Sequence, residues 1–377
     1  MRILLDYRPA LRQRTGVGEY VHELTRALLA AEVHPPDVIT VFSASMRDRL
    51  DGSDLPGAVI ADLPVPVRAL NYAWHRWQWP PVETLTRFDY DVVHAAHPIR
   101  IPSRRAAQVV TVHDLDFLRH PERTRAEIRR DYPALAPAHI RAADAVLAVS
   151  ATTARDIESL TGHPASRVIV APLGRPDWPH RREEPADGVI LFFGTIEPRK
   201  NVDSLLDAYA WLIAQRDAAG RATPPLVLAG SAGGGADALL ARTRQAPLLG
   251  RVEVLGYVDP DVRLDTYRRA IALVMPSHAE GFGLPALEAM TVGVPVIAAD
   301  AGALPEVLGG AGALYPPGDV DALCATLNTM IDDEVRRDHM RAAGWQRALD
   351  FSWAHTAERT REAWQLARAA AHERHRG

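Results

Sequence analysis

The stretch P-S-H-A-E-G-F-G-L-P-A-L-E-A-M, residues 276–290, lies between two short apolar runs of the sequence. The run Ala270–Met275 precedes it and Val294–Ala299 follows it, and both have the length of a buried strand. Two such strands joined by a glycine turn and a helix form a βαβ unit, which belongs in a parallel sheet. Pro285 suits the first helical turn, where its missing N–H group is no loss, so we expect the helix to begin near Leu284.

The turn before this helix has the residue types of a phosphate site. Gly281 and Gly283 allow positive φ and close approach of a ligand to the backbone. A helix start also offers unpaired N–H groups and a partial positive charge. Glu280 lies in the turn and Glu288 about one turn into the helix, and such carboxylates accept hydrogen bonds from hydroxyl groups. A nucleotide sugar combines a diphosphate with many hydroxyl groups, so the stretch predicts a site for that class of ligand.

Glu280, seven residues and then Glu288 resemble the E-x7-E signature of retaining nucleotide-sugar glycosyltransferases, and the surrounding E-G-F-G-L-P-A-L-E-A-M adds to the likeness. The resemblance implies an α/β protein of the GT-B fold, with two doubly wound Rossmann-like domains facing each other across a cleft. It further implies that Glu288 binds the ribose hydroxyls and that Glu280 binds the sugar hydroxyls. The N–H groups of Gly281, Phe282, Gly283 and Leu284 would assist Glu280. The alternative is an ordinary βα turn whose glutamates are solvated.

A second matching stretch is G-T-I-E-P-R-K-N, residues 194–201, which follows the apolar run Val189–Phe193. The resembling family carries an arginine and a lysine in such a loop, where they bind the donor diphosphate; here these are Arg199 and Lys200. Fixed cations lower the barrier where a leaving diphosphate gains negative charge. Lys200 is also the only lysine of the chain, in a sequence otherwise rich in arginine. A solvated turn before a helix is the alternative.

The resemblance implies further site residues. A glycine-rich loop near the N-terminus would face the donor phosphates, and a histidine in a V-H-D-L context would bond the transferred sugar or the acceptor. Of two later strand-end loops, the first would contact the donor and the second would hold the nucleotide base. The residues concerned are Gly16, Gly18, His113, Gly230, Tyr257 and Val258. Val21 stands where a dinucleotide-binding loop would have its third glycine, so the sequence argues against an NAD site. The alternatives are that these loops are turns that bind no ligand, and that His113 only caps the end of its strand.

Composition limits the class of protein. The chain has 377 residues, 47% of them apolar, which is enough for two cores, and its net charge of −4 implies no nucleic-acid partner. The single cysteine, Cys324, excludes an internal disulfide. The sequence shows no signal peptide and no membrane-spanning run, so we expect a cytoplasmic protein. We expect a first domain over residues 1–175, a linker over 176–188, a donor domain over 189–350, and a helix over 351–377 that crosses back to the first domain.

Four aromatic residues are crowded between Arg68 and Pro80 in the sequence R-A-L-N-Y-A-W-H-R-W-Q-W-P. They are Tyr72, Trp74, Trp77 and Trp79, with His75 and Arg76 among them. Their rings could stack on an acceptor sugar, lie at a membrane interface, or pack in the core. The sequence leaves these three roles open.

The reaction implied by the resemblance is transfer of a hexose from a nucleoside-diphosphate sugar to a hydroxyl group, with retention and with neither a metal nor another cofactor. The G-T-x-E-P-R-K-N loop favours a mannosyltransferase that uses GDP-mannose in polysaccharide biosynthesis. A glycan, a lipid-linked glycan or a small molecule would accept the sugar, with peripheral membrane contact as an option. The rivals are a nucleotide-sugar epimerase, a non-catalytic nucleotide-sugar binding protein, and a pyridoxal-phosphate phosphorylase, which would need a Schiff-base lysine.

Overall fold

The structure is a computed structural model that describes residues 1–12, 14–32, 36–124, 126–181 and 183–376, the side chains of 126–128 and 375–376 excepted. Its strands are β1 (Arg2–Asp6), β2 (Val38–Ala44), β3 (Val59–Leu63), β4 (Val92–Ala95), β5 (Ala107–Val112), β6 (Ala145–Ala148), β7 (Val168–Val170), β8 (Val189–Phe193), β9 (Leu226–Ala229), β10 (Val252–Gly256), β11 (Ala270–Met275), β12 (Val296–Ala299) and β13 (Ala313–Tyr315).

Its α-helices are α1 (Gly16–Ala30), α2 (Val67–Trp77), α3 (Val82–Thr86), α4 (Asp116–Arg119), α5 (Ala126–Arg141), α6 (Ala151–Thr161), α7 (Val202–Ala218), α8 (Ala236–Arg242), α9 (Pro260–Arg268), α10 (Leu284–Val292), α11 (Leu304–Leu308), α12 (Val320–Asp332), α13 (Glu334–Ala348) and α14 (Trp353–Arg376). Short 3-10 turns include Arg8–Ala10, Pro121–Arg123 and Pro198–Lys200. Among the described residues, no helix has both the length and the apolar content needed to cross a membrane.

The first compact unit comprises Met1–Arg119, Arg130–Gly174 and Ser352–Gly377. Its seven-stranded parallel sheet has the order β3-β2-β1-β4-β5-β6-β7, so the direction of winding reverses between β1 and β4. Helix α14 belongs to this unit and is fixed by the buried Trp364, whose Nε1 donates to His94 Nδ1 at 3.3 Å. His94 Nε2 in turn bonds Thr111 Oγ1 at 2.8 Å. This histidine therefore has a structural role, because both ring nitrogens are engaged inside the core.

The second unit comprises His120–Arg129 and Arg175–Phe351. Its six parallel strands have the order β10-β9-β8-β11-β12-β13, and the winding reverses between β8 and β11. Strands buried on both faces read as continuous apolar runs, and β11 is buried along its whole length. Each unit is thus a doubly wound α/β sheet, as the sequence predicts, and helices connect most of its successive strands; β2 to β3 and β4 to β5 are joined without one.

Two local predictions were wrong. Gly16 and Gly18 were expected in a loop that reaches Glu19, but they form the first turn of α1. Gly18 has a packing role there, because a Cβ atom on it would lie 2.7 Å from the carbonyl oxygen of Pro9. The sequence has a helical pattern from Glu122 to about Arg141, but the helix begins at Ala126, after the 3-10 turn Pro121–Arg123.

Candidate active site

The candidate active site lies where the winding of the second sheet reverses. In open parallel sheets, the loops that follow the strands on either side of such a reversal diverge and leave room for a ligand. Here these loops are residues 194–201 after β8 and residues 276–283 after β11. They are joined directly: His278 N donates to Arg199 O at 2.9 Å, and Arg199 Nη1 donates to Ala279 O at 2.9 Å. The two sequence motifs therefore form one structural unit.

Glu280 is the centre of this unit. Lys200 Nζ donates to its Oε1 at 2.5 Å and Ser277 Oγ donates to the same oxygen at 2.6 Å. Arg199 Nη1 lies 3.5 Å from Oε2. Burial raises the pKa of Glu280, but the charges of Lys200 and Arg199 outweigh it, so its pKa lies below the ordinary value. We call Arg199, Lys200, Ser277 and Glu280 the Glu280 cluster; it holds one ionised carboxylate between two cations.

The backbone of Glu280 is held by the loop after β12. Ala303 N donates to Glu280 O at 2.8 Å. Gly302 has φ +58°, and a Cβ atom on it would lie 2.3 Å from the same carbonyl oxygen. Gly230 gives comparable support to the loop after β8, since its φ is +141° and a Cβ atom there would lie 1.9 Å from Gly194 O. Both glycines are required by close contact between loops.

Helix α10 begins at Leu284, which confirms the prediction from Pro285. Gly283 precedes it with φ +100°, a conformation that glycine adopts without strain. Phe282 is buried, and its ring meets the ring of Phe351 edge-on at 5.7 Å. The segment from Gly281 to Leu284 therefore connects the Glu280 cluster directly to the start of a nine-residue helix.

Glu288 lies inside α10 and has different partners. Arg263 Nη1 donates to its Oε1 at 3.0 Å, and Tyr267 OH donates to its Oε2 at 2.6 Å. Tyr267 is fully buried and stacks on Phe193 with 5.0 Å between ring centroids. Burial raises the pKa of Glu288 and the nearby Arg263 only partly offsets it. The two glutamates of one motif thus have pKa values displaced in opposite directions, which is typical of groups with different duties.

Arg263 and Tyr267 are site residues that the sequence reasoning missed. They stand four positions apart on α9, and this spacing places them on one face of the helix. Ser277, three positions before Glu280, was also missed. Glu288, the partner of Arg263 and Tyr267, lies on another helix, whereas Ser277 shares a loop with Glu280, so their three-residue spacing was the signal that could have identified Ser277.

The remaining predicted residues are distributed over both units. Tyr257 is half-buried and Val258 is buried, and both follow β10, two strands from β8. His113 follows β5 in the first unit, where its Nε2 donates to Ala96 O at 3.1 Å and its ring meets Tyr20 edge-on at 4.9 Å. Burial lowers the pKa of His113 to about 4, although the bond to Ala96 acts in the opposite direction. At neutral pH its Nδ1 can therefore accept a hydrogen bond.

The comparisons with known proteins cover nearly the whole chain. The profile described as "Glycosyl transferases group 1" matches residues 176–347, and that described as "Glycosyltransferase Family 4" matches residues 14–176. O-antigen chain mannosyltransferase B of Escherichia coli is 30% identical over 393 residues, which cover 97% of this chain and 100% of that protein.

Two solved structures have a similar fold. Sucrose-phosphate synthase from Thermosynechococcus elongatus superimposes with a TM-score of 0.75 at 20% identity, over 97% of this chain and 98% of that one. HepE of Anabaena in complex with UDP-glucose gives a TM-score of 0.65 at 19% identity, over 96% of this chain and 98% of that one. The two parallel-sheet Rossmann-like domains, the matching profiles and the full-length relative show that this chain belongs to the glycosyltransferases of the GT-B fold.

Proposed function

We propose that this glycosyltransferase transfers mannose from GDP-mannose to a hydroxyl group of a glycan or lipid-linked glycan, with retention at the anomeric carbon. The observation that carries the proposal is the Glu280 cluster, in which two cations and a carboxylate meet at the reversal point of the second sheet. The choice of mannose follows the E. coli relative named as a mannosyltransferase. The HepE structure contains UDP-glucose, so the donor test must include UDP sugars as well.

Arg199 and Lys200 bind the donor diphosphate in this proposal. A guanidinium group can donate to two phosphate oxygens, while an ammonium group acts as a compact point charge, so the two side chains are not interchangeable. Both already have a buried counter-charge in Glu280, which keeps them oriented in the absence of donor. The start of α10 adds a partial positive charge beside them. These groups can stabilise the negative charge that develops on a leaving diphosphate, and we propose a reaction that needs no metal and no other cofactor.

The carboxylates recognise the hydroxyl groups of the donor. Glu280 accepts hydrogen bonds from the transferred sugar, assisted by N–H groups between Gly281 and Leu284. Glu288 accepts hydrogen bonds from the ribose, and Arg263 and Tyr267 hold it in place. Neither carboxylate is proposed as a covalent nucleophile. The leaving phosphate instead assists deprotonation of the acceptor on the same face of the sugar, which gives retention.

The other predicted residues have supporting roles. His113 accepts a hydrogen bond from the transferred sugar or the acceptor through its Nδ1, since its Nε2 is engaged with Ala96. Tyr257 and Val258 contact the nucleotide base, and Gly230 shapes the loop beside them. In this proposal Gly16 and Gly18, which stand in the first turn of α1, contact the donor phosphates through their backbone, in addition to the packing of Gly18 against Pro9.

The proposal is tested by a thermal-shift screen of GDP, UDP, ADP and their sugars in the presence of EDTA. A ligand at about a hundred times its Kd stabilises a protein by about 2.7 kcal/mol. We expect GDP or GDP-mannose to give the largest shift in the wild type and a much smaller one in Lys200→Ala. Arg336→Gln, an exposed position on α13, is the matched control and should respond like the wild type.

A product assay then separates the proposed reaction from its rivals. Transfer requires an acceptor, whereas an epimerase would convert the donor to an isomer or free sugar without one. A non-catalytic binding protein would show a shift in melting temperature with nucleotide but no turnover of the donor, and Glu280→Ala would not change this absence of turnover. If no nucleotide shifts the melting temperature of the wild type, the proposal fails.

A further inference from the structure

Three aromatic side chains of helix α2 and the segment after it face solvent. Tyr72, Trp77 and Trp79 are 58%, 65% and 64% exposed. The rings of Tyr72 and Trp77 meet nearly perpendicularly at 5.5 Å, so they form a continuous aromatic surface. Of the roles left open by the sequence, core packing applies to Trp74 alone, which is 2% exposed. The other three rings need a different explanation.

Helix α2 is anchored to the first unit by its opposite face. The ring of Trp74 lies 5.7 Å from the ring of Phe42, and the guanidinium group of Arg8 lies 4.8 Å above it. Trp74 Nε1 also donates to Pro80 O at 2.9 Å. The fold therefore uses Trp74 to attach the helix, and the exposed rings are presented on an element that is already fixed.

The charge of this surface is mainly positive, with one carboxylate nearby: Asp131 Oδ2 of α5 lies 3.8 Å from His75 Nδ1. The sequence contains no aspartate or glutamate from residue 63 to residue 82. Arg68, Tyr72 and Arg76 follow each other at intervals of four residues, which places them on one face of α2, and all three are exposed. We call Arg68, Tyr72, Arg76, Trp77 and Trp79 the α2 surface. Its charge complements an anionic partner.

We propose that the α2 surface docks on a lipid bilayer that carries anionic headgroups. Tryptophan and tyrosine combine an apolar ring with a polar tip, and they concentrate at the depth where headgroups meet acyl chains. Arginine next to them is attracted by the negative surface potential of anionic lipid. Sugar hydroxyls would use the arginines only as hydrogen-bond donors, whereas anionic lipid uses their charge together with the amphipathic rings, so the membrane fits the α2 surface better than a glycan does. The inference is independent of the proposed reaction.

Co-sedimentation of the full chain with vesicles tests the proposal. One set of vesicles is phosphatidylcholine alone, and the other contains roughly one third phosphatidylglycerol. The wild type should bind the anionic set, and its binding should weaken as salt screens the charges. Arg76→Gln should bind about fivefold more weakly, because one cation is lost near the surface. The double variant Trp77→Ala/Trp79→Ala should bind about tenfold more weakly or worse, because two apolar rings no longer insert.

A matched control removes one exposed tryptophan and one exposed arginine from the second unit. Trp211 is 47% exposed on α7, and Trp211→Ala/Arg336→Gln should bind vesicles like the wild type. Trp77→Phe/Trp79→Phe should retain most of the binding, which separates loss of insertion from loss of folding. Absence of binding to anionic vesicles overturns the proposal. Equal binding to neutral and anionic vesicles also overturns it. A third contrary result is a Trp77→Ala/Trp79→Ala variant that binds vesicles like the wild type but no longer transfers sugar to a water-soluble acceptor.

Discussion

The contact between Lys200 and Glu280 can be tested by a cycle of Lys200→Met, Glu280→Gln and the double variant. The two side chains are 11% and 6% exposed, so either single change leaves a buried charge with less compensation. Breaking a buried ion pair costs about 3–5 kcal/mol. Arg199 at 3.5 Å and the Ser277 hydroxyl remain beside Glu280 in Lys200→Met, so we expect the lower end, about 3 kcal/mol.

The double variant should be less destabilised than the sum of the single changes, by about 2 kcal/mol, because no unpaired lysine or carboxylate remains. Urea unfolding followed by circular dichroism measures these free energies. GDP then distinguishes a ligand site from a structural ion pair. At a concentration that stabilises the wild type by about 2.7 kcal/mol, it should stabilise Lys200→Met by less than about 1 kcal/mol. In Glu280→Gln its phosphates replace the missing anion, so the stabilisation should be at least that of the wild type.

Two results would refute this reasoning. A free energy of unfolding for Lys200→Met within about 0.5 kcal/mol of the wild type would mean that the buried pair contributes little. An equal stabilisation by GDP in the wild type and Lys200→Met would mean that the nucleotide binds elsewhere.

Three further predictions follow from the same geometry. Gly302→Ala should lower the free energy of unfolding by about 3 kcal/mol or more and weaken nucleotide binding, because its Cβ would press on the Glu280 backbone. The control is Gly310→Ala, where φ is +86° and the space is open. It should lower the free energy of unfolding by about 1 kcal/mol in the same urea assay. Tyr267→Phe should lower the free energy of unfolding by about 2 kcal/mol, because Glu288 Oε2 loses a buried hydrogen-bond donor while the ring stacking is kept. The control, Tyr72→Phe at an exposed ring, should change it by less than about 0.5 kcal/mol. The folded pKa of Glu280 lies below its ordinary value of 4.5, so its ionised form stabilises the fold above that pH. This contribution is lost as pH falls through the lower folded pKa. Between about pH 5 and about pH 3, the free energy of unfolding should therefore fall more steeply in the wild type than in Glu280→Gln.

Much of the fold could be predicted because buried parallel strands appear as short apolar runs. The apolar runs Val189–Phe193 and Ala270–Met275 have the predicted bounds in the structure. The sequence reasoning passed over β2, although its V-I-T-V-F run is rich in β-branched residues. Strand β3 is harder to recognise, because Val59 and Ile60 are exposed at the sheet edge and the buried pattern is weak. Strand β13 has three residues and is too short to show a recognisable hydrophobic pattern.

The candidate site could be predicted in part. The spacing from Gly281 to Pro285 determined the helix start, because backbone conformation depends on local residues. The partners of Glu288 could not be obtained in this way. Arg263 and Tyr267 come from α9, and their contact with Glu288 depends on how α9 and α10 pack. The contact between Lys200 and Glu280, eighty positions apart, likewise depends on the adjacency of β8 and β11 in the sheet.

Titration calorimetry in EDTA measures whether Arg199 and Lys200 hold the donor diphosphate. GDP, UDP and the corresponding nucleosides are titrated into the wild type and into Arg199→Ala/Lys200→Ala. We expect one diphosphate to bind the wild type about a hundredfold more tightly than its nucleoside, since two charge-assisted contacts each contribute about 1.5 kcal/mol or more. In the double variant this advantage should disappear. A diphosphate that binds no better than its nucleoside, or binds the double variant as tightly as the wild type, would mean that Arg199 and Lys200 do not hold the diphosphate.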